Sequence, residues 1–205
     1  MDLRSFNNIH YLYKDNIYLF ENVLNYNVCN DLIKYINEKE KEGKTGTEKH
    51  GKSSNVQCSY IPIEKDSKYD KIIYSCINKY FTILQSMNMG LIIDKDSNYC
   101  LRRIYGNTRL HSDGEYGNLY HGITQKEIRT VSCIIALNSN YSGGYFEFPV
   151  QKISIKLKRG DLIIFPPYWT HPHKVSEPTN ETSRYTINTW GTKLHNNLHI
   201  NGMKS

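Results

Sequence analysis

From Leu91 to Trp190 the chain breaks into short apolar runs cut by turn residues, a spacing that leaves few folds open. The runs are Tyr99–Tyr105, Thr130–Leu137, Gly144–Pro149, Ile153–Leu157, Asp161–Phe165, His173–Val175 and Arg184–Trp190. Between them stand Asn138-Ser139-Asn140, Ser142-Gly143-Gly144, Lys158-Arg159-Gly160 and Pro166-Pro167. Runs of this size bounded by Gly, Pro and Asn read as strands. Two helical stretches precede them. Val28–Glu40 carries apolar residues at Leu32, Ile33 and Ile36, with Asn27 as the expected N-cap. Asp66–Met87 places Tyr69, Ile72, Ile73, Cys76, Ile77, Tyr80 and Leu84 on one face. Helices followed by many short strands predict a β-sandwich or jelly roll, with the helices packed outside the larger sheet.

The 205 residues suit one domain with a sizeable core. The expected division is helical support over 1–90 and a β core over 91–192. Between the helices, Lys39–Ser54 is polar and reads as a solvated loop rather than a binding patch. Lys and Arg number 26 against 20 acids, a mild excess that permits anionic partners without requiring them. No apolar run approaches the roughly 18 residues of a membrane span. Residues 1–8 show no signal-peptide pattern, so a cytoplasmic location is expected. Five scattered cysteines without CxxC spacing disfavour a disulfide scaffold or a zinc ribbon.

Two chemistry-bearing clusters stand in the β region. His111-Ser112-Asp113 follows the first run, and in extended chain residues two apart share a face. Further on comes His171-Pro172-His173. Two histidines and one carboxylate can form the facial triad of non-haem Fe(II) sites. With eight histidines in the chain, the pair around Ser112 is weak by itself. Arg184 opens a strand in which Thr186, Asn188 and Trp190 share its face. An inward guanidinium needs an anion, either an internal carboxylate or a bound dicarboxylate.

In order, His111–Asp113, Gly143-Gly144-Tyr145-Phe146-Glu147-Phe148-Pro149, Asp161–Pro166, Pro172–Val175 and Arg184–Trp190 resemble the motifs of the prolyl 4-hydroxylase group of Fe(II)/2-oxoglutarate-dependent dioxygenases. The resemblance covers about residues 90–190, and Leu19–Leu24 with Cys29–Ile33 looks like the family's entry segment. It implies a double-stranded β-helix, with His111, Asp113 and His173 as iron ligands and His171 as the alternative to His173. It further implies Arg184 on the distal carboxylate of 2-oxoglutarate, Tyr105 beside it, and Thr186 and Asn188 lining the same pocket. Where one branch of the family has a second cosubstrate tyrosine, this chain has Ala136. The long stretch Gly114–Ile128 reads equally as a lid or a surface loop.

The implied reaction consumes O2 and 2-oxoglutarate, releases succinate and CO2, and hydroxylates an aliphatic C–H bond; ascorbate is a candidate reductant. The implied substrate is a prolyl residue in a peptide or protein, with a free amino acid or other small molecule as the alternative. A non-catalytic metal-binding jelly roll ranks lower, as does a zinc hydrolase. Nucleic acid is not an expected partner, because AlkB-type relatives end the strand begun by Arg184 on a second arginine and this chain has Trp190 there. His111 and His173 are expected on opposing sheets near one open end.

Overall fold

Strand Leu162–Phe165 buries all four of its side chains, which requires cover on both faces of its sheet. The cover is different on each side. Leu162 and Ile164 belong to a cluster with the helices, whereas Ile163 and Phe165 belong to one between two sheets. The same alternation separates Tyr18 and Phe20 from Ile17 and Leu19, and Cys133 and Ile135 from Ile134 and Ala136. Period two therefore divides the molecule into three layers: helices, large sheet and small sheet.

In chain order this computed structural model contains β1 (Asp2–Phe6), β2 (Ile9–Lys14), β3 (Ile17–Phe20), α1 (Tyr26–Lys41), β4 (Gly46–Glu48), β5 (Cys58–Pro62), α2 (Lys68–Met87), β6 (Lys95–Asp96), β7 (Cys100–Ile104), β8 (Thr108–His111), β9 (Glu127–Ala136), β10 (Ser142–Gly143), β11 (Phe146–Phe148), β12 (Ile153–Ile155), β13 (Leu162–Phe165), β14 (His173–Val175), β15 (Pro178–Thr179) and β16 (Arg184–Leu194). The structure describes residues 1–6, 9–49, 57–88, 90–114, 127–179 and 182–194. The large sheet runs β1-β2-β3-β13-β9-β16-β7-β5-β4, with β6 also paired to β16. The small sheet runs β12-β11-β14-β8, and β10 pairs with β15. Every pairing is antiparallel. This is a mainly β fold with two flanking helices, the double-stranded β-helix or jelly roll.

Both helices lie against the large sheet: Cys29, Leu32 and Ile36 of α1 and Ile73, Ile77, Phe81 and Leu84 of α2 join Leu101, Ile135, Tyr185 and Ile187 in one core. Helix α1 begins two residues before its expected start. Its cap is Asn25, whose side chain accepts from the Asn27 N–H at 2.8 Å, and not Asn27. Helix α2 begins after Ser67, whose hydroxyl accepts from the Asp70 N–H at 3.2 Å; the Asp70 carboxylate accepts in return from the Asp66 N–H at 2.9 Å. Among the described residues, no helix is long and apolar enough to cross a membrane.

Three sequence expectations are corrected here. The first 90 residues carry β1–β5 as well as the helices, because β3 extends the large sheet beyond β13. Within Lys39–Ser54, α1 continues to Lys41 and Gly46–Glu48 forms an edge strand on β5. Backbone pairing there needs no apolar side chain, but it does need Gly46: a Cβ at that position would stand 2.5 Å from the Tyr60 ring. Thr108–His111, outside the runs expected as strands, is strand β8 of the small sheet.

Candidate active site

Strand β8 ends on His111, and β14 begins on His173, and the two residues are direct partners across that antiparallel pair. Both histidines thus stand on one sheet, the small one, and not on opposing sheets. Opposed partners bring Cβ atoms to about 4.5–5.5 Å, and the two rings lie 4.4 Å apart between centroids. Phe148 and Phe165 pack against the His173 ring. Beyond His111 the backbone is pinned twice: the Gly114 N–H donates to the Pro167 carbonyl, and Arg129 donates to the Asp113 carbonyl, both at 2.6 Å. This turn places one Asp113 carboxylate oxygen 3.3 Å from His111 Nε2 and the other 3.9 Å from His173 Nε2. Ser132 of β9 donates to the Asp113 carboxylate at 2.7 Å. One ligand atom from each of His111, Asp113 and His173 lies within 4.8 Å of the others.

Hydrogen bonds aim the histidines. His111 Nδ1 faces the Arg109 carbonyl at 2.8 Å and His173 Nδ1 faces the His171 carbonyl at 3.2 Å. A carbonyl only accepts, so each Nδ1 keeps its proton and, in the neutral ring, each Nε2 turns a lone pair toward Asp113. Burial lowers the His173 pKa. Burial acts to raise Asp113, but the hydrogen bond to His111, the charge of His173 and the Ser132 hydroxyl together hold it at about 2. The bond to Asp113 raises His111; a bound cation would displace that proton. A carboxylate with two inward Nε2 atoms is a donor set that fits Fe(II).

The triad opens on a cavity of about 230 Å³ that reaches Arg184, Asn188 and Trp190 of β16. Arg184 is only 3% exposed, and its Nε is buried with no hydrogen-bond partner among the described residues. Its guanidinium lies 5.1 Å from the centre of the Phe146 ring. Burial lowers its pKa to about 10. Gly144 supports this placement: it has φ +67°, and a Cβ there would stand 2.4 Å from the Tyr141 ring and 3.4 Å from Arg184 Cδ. A buried cation with an orphaned N–H is costly unless an anion joins it, so the site fits a carboxylate.

The other sequence candidates are placed as follows. Asn188 lines the cavity, and Thr186, fully buried beside it, donates to its side-chain oxygen at 2.7 Å. That bond leaves the Asn188 NH2 to face outward as a donor. Tyr105 departs from expectation. Its hydroxyl donates to Glu40 of α1 and lies 3.3 Å from Ser59 Oγ, and the Arg103 guanidinium sits 5.0 Å above its ring. Alternation along β7 explains this, because Arg102 and Ile104 face the cavity while Leu101 faces the helices. Burial, then the bond to Glu40, pushes the Tyr105 hydroxyl up to about 12. His171 is occupied elsewhere: one ring nitrogen faces the Asp15 carbonyl at 2.7 Å and the other the Thr170 hydroxyl at 2.9 Å. Of Gly114–Ile128, read as a lid or a surface loop, residues 115–126 lie outside the described residues, while Glu127 and Ile128 begin β9.

Sequence reasoning passed over Ser132, Arg129, Arg102 and Glu48. Ser132 had a signal, a polar residue in the apolar run Val131–Ala136 on the same face as Ile134. Arg129 had none, since its role depends on stacking 3.8 Å over the Trp190 ring while gripping the Asp113 backbone.

Residues 100–192 match the 2OG-Fe(II) oxygenase superfamily. That segment is a 2OG-Fe(II) oxygenase domain. The matched segment contains every residue of the triad and Arg184. A comparison with curated proteins gives no match. Among solved structures the chain is similar to a viral collagen prolyl hydroxylase from Paramecium bursaria Chlorella virus-1 in its 2OG complex, with a TM-score of 0.65 and 18% identity over 88% of this chain and 97% of that one. It is similar to a Pseudomonas putida prolyl-4-hydroxylase, with a TM-score of 0.69 and 13% identity over 88% and 94%. A Trichoplax adhaerens prolyl hydroxylase, solved with a hypoxia inducible factor oxygen degradation domain peptide, gives 0.66 and 15% over 87% and 84%. At these identities the structural likeness speaks for the fold. With the superfamily match over residues 100–192 and the triad, it supports 2OG-Fe(II) oxygenase chemistry at this site.

Proposed function

We propose that the 2OG-Fe(II) oxygenase domain hydroxylates an aliphatic C–H bond, with His111, Asp113 and His173 holding Fe(II) and Arg184 holding the distal carboxylate of 2-oxoglutarate. The observation that carries this reading is the sharing of one cavity by an inward-facing donor set and a buried guanidinium with an orphaned N–H. The bound metal and cosubstrate would supply the oxidation: 2-oxoglutarate, O2 and the C–H bond give succinate, CO2 and the alcohol. The protein's own residues do the positioning. Arg184 fixes one end of a short dicarboxylate, and the other end is then directed at the triad. Asn188, oriented by Thr186, offers a further donor along the cavity wall. Ser132 helps keep Asp113 ionised, and Arg129 holds its backbone in register with the histidines. Phe146, Ile134 and Val175 line the cavity with apolar surface that excludes water.

A prolyl residue in a peptide or protein is the substrate favoured by the fold likeness, since the three similar structures named above are prolyl hydroxylases. A free amino acid is the second reading. Ascorbate would serve as a reductant for iron oxidised without product. The test incubates the purified chain with Fe(II), 2-oxoglutarate and air across proline-containing peptides and free amino acids. Succinate release with a gain of about 16 Da, one oxygen atom, is the expected result. Failure to release succinate, or equal release with Zn(II), would sink the proposal.

A further inference from the structure

A second arginine faces the cavity, and the oxygenase reading leaves it without a ligand. Strand β7 lies beside β16 with Arg102 opposite Thr186 and Ile104 opposite Arg184, so both guanidiniums stand on the cavity face. The Arg102 side chain is 21% exposed. Its Nε donates to Cys58 Sγ at 3.3 Å and its Nη2 is paired with Glu48. Among the described residues none accepts from Nη1. Glu48 belongs to the three-residue edge strand β4, and its side chain is 43% exposed. Its grip on Arg102 is therefore open to exchange with another carboxylate, since exposed pairs are held only weakly.

Charge within the cavity favours that exchange. A divalent cation, the Asp113 carboxylate, the two carboxylates of 2-oxoglutarate and Arg184 balance to zero. Beyond them, the described residues of the lining are Arg102 and the exposed Arg109 against Glu48. The loaded site thus retains one positive charge at its outer wall, where a neutral substrate would leave it unmatched.

We propose that Arg102 selects the substrate, which carries a carboxylate near the reacting C–H bond and takes Arg102 in exchange for Glu48. The inference rests on the oxygenase reading of the cavity. The carboxylate can be that of a free amino acid or the C-terminus of a peptide; the recognising chemistry is the same. Glu48 then acts as a placeholder that keeps the guanidinium paired until the substrate arrives.

The test is calorimetric titration of the chain loaded with Mn(II) and 2-oxoglutarate. The probes are N-acetyl-L-proline and other N-acetyl amino acids, the free amino acids, and tripeptides ending in the same residues, each as the acid and as its primary amide. The expected result is that acids bind at least about tenfold more tightly than their amides. Arg102→Gln should abolish the preference. Glu48→Gln should change affinity in the opposite direction, strengthening the acids severalfold by removing their competitor. Tighter binding of free amino acids assigns a small-molecule source, and tighter binding of tripeptide acids a chain terminus; either supports the carboxylate site. If no acid outbinds its amide, or if Glu48→Gln weakens the acids as Arg102→Gln does, the inference is overturned and the pair is only a wall. 2-Oxoglutarate is titrated first. Its failure to bind would overturn both readings, whereas its binding without an acid preference overturns the Arg102 inference alone.

Discussion

Arg184 and Arg103 stand on neighbouring, paired strands of the same sheet and differ in role. Arg103 has its carboxylate within the fold, Glu40 at 2.5 Å, and also donates to Ser183 at 3.0 Å. Among the described residues Arg184 has none, and stands by the Phe146 ring and Tyr141. A guanidinium buried in this way is held ready for an anion, because the cost of desolvation has already been met in folding. Arg184→Leu should therefore raise the 2-oxoglutarate KM by roughly thirtyfold or more, the equivalent of about 2–5 kcal/mol for a lost buried charge-assisted pair. Metal affinity, read by Mn(II) titration, should stay within a few-fold, since none of His111, Asp113 and His173 is changed. Arg184→Lys should fall between, because an ammonium offers a point charge in place of a planar fork. An unchanged KM in Arg184→Leu would remove the cosubstrate assignment.

At the scale of elements, the ends of strands and helices set the geometry. The site depends on β8 stopping at His111 and β14 starting at His173, with a register irregularity between His173 and Val175. A bulge of this kind re-aims a side chain at the rim of a sheet. Helix α1 is fixed by Asn25, whose backbone is extended at φ −60° and ψ 140° while its side chain closes on the Asn27 N–H. Asn25→Ala should cost about 1 kcal/mol in thermal or urea unfolding. Asn27→Ala should be neutral or slightly stabilising, within about 0.5 kcal/mol, since Asn27 lies inside the first turn where Ala is the better helix former. The reverse order would restore Asn27 as the cap.

Across the whole molecule, the large sheet separates an apolar helical core from the cavity side, and polar side chains also join the helices to the sheet. One that does is Glu40 near the end of α1. It accepts from Ser59 Oγ and Arg103, each at 2.5 Å, and from the Tyr105 hydroxyl, joining α1 to β5 and β7. Burial acts to raise its pKa, but those three hydrogen bonds and the Arg103 charge bring it below the ordinary 4.5. A carboxyl lowered in the folded state contributes stability above its unfolded pKa and loses it as pH falls through the folded value. The melting temperature should therefore hold steady from about pH 7 to about pH 5 and drop below that. Glu40→Gln should lower it at neutral pH and flatten the drop. A variant whose acid profile overlays that of the parent protein would show that the network does not titrate.

Local chemistry was readable in the residue order. The apolar run Leu162–Phe165 and the period-two pattern of Arg184–Trp190 marked strands, and the three- and four-residue spacing of Ile73, Ile77, Tyr80 and Leu84 marked a buried helix face. The residue types His, Asp, His and Arg carried their chemistry before any fold was known, since only a few side chains bind metals or carboxylates. What the order could not carry was which face and which partner. Tyr105 was a sound candidate by position, yet one strand's phase turned it to Glu40 rather than to Arg184. His171 and His173 differ by two residues, and the contact with Asp15, far away in the chain, occupies the first. Strand β4 has no apolar pattern, because an edge strand is held by backbone bonds that any sequence can make. The partnering of His111 with His173, Ser132 with Asp113, and Arg102 with Glu48 depends on register between strands distant in sequence. Register is settled by the packing of all the layers at once, so only the folded molecule decides it.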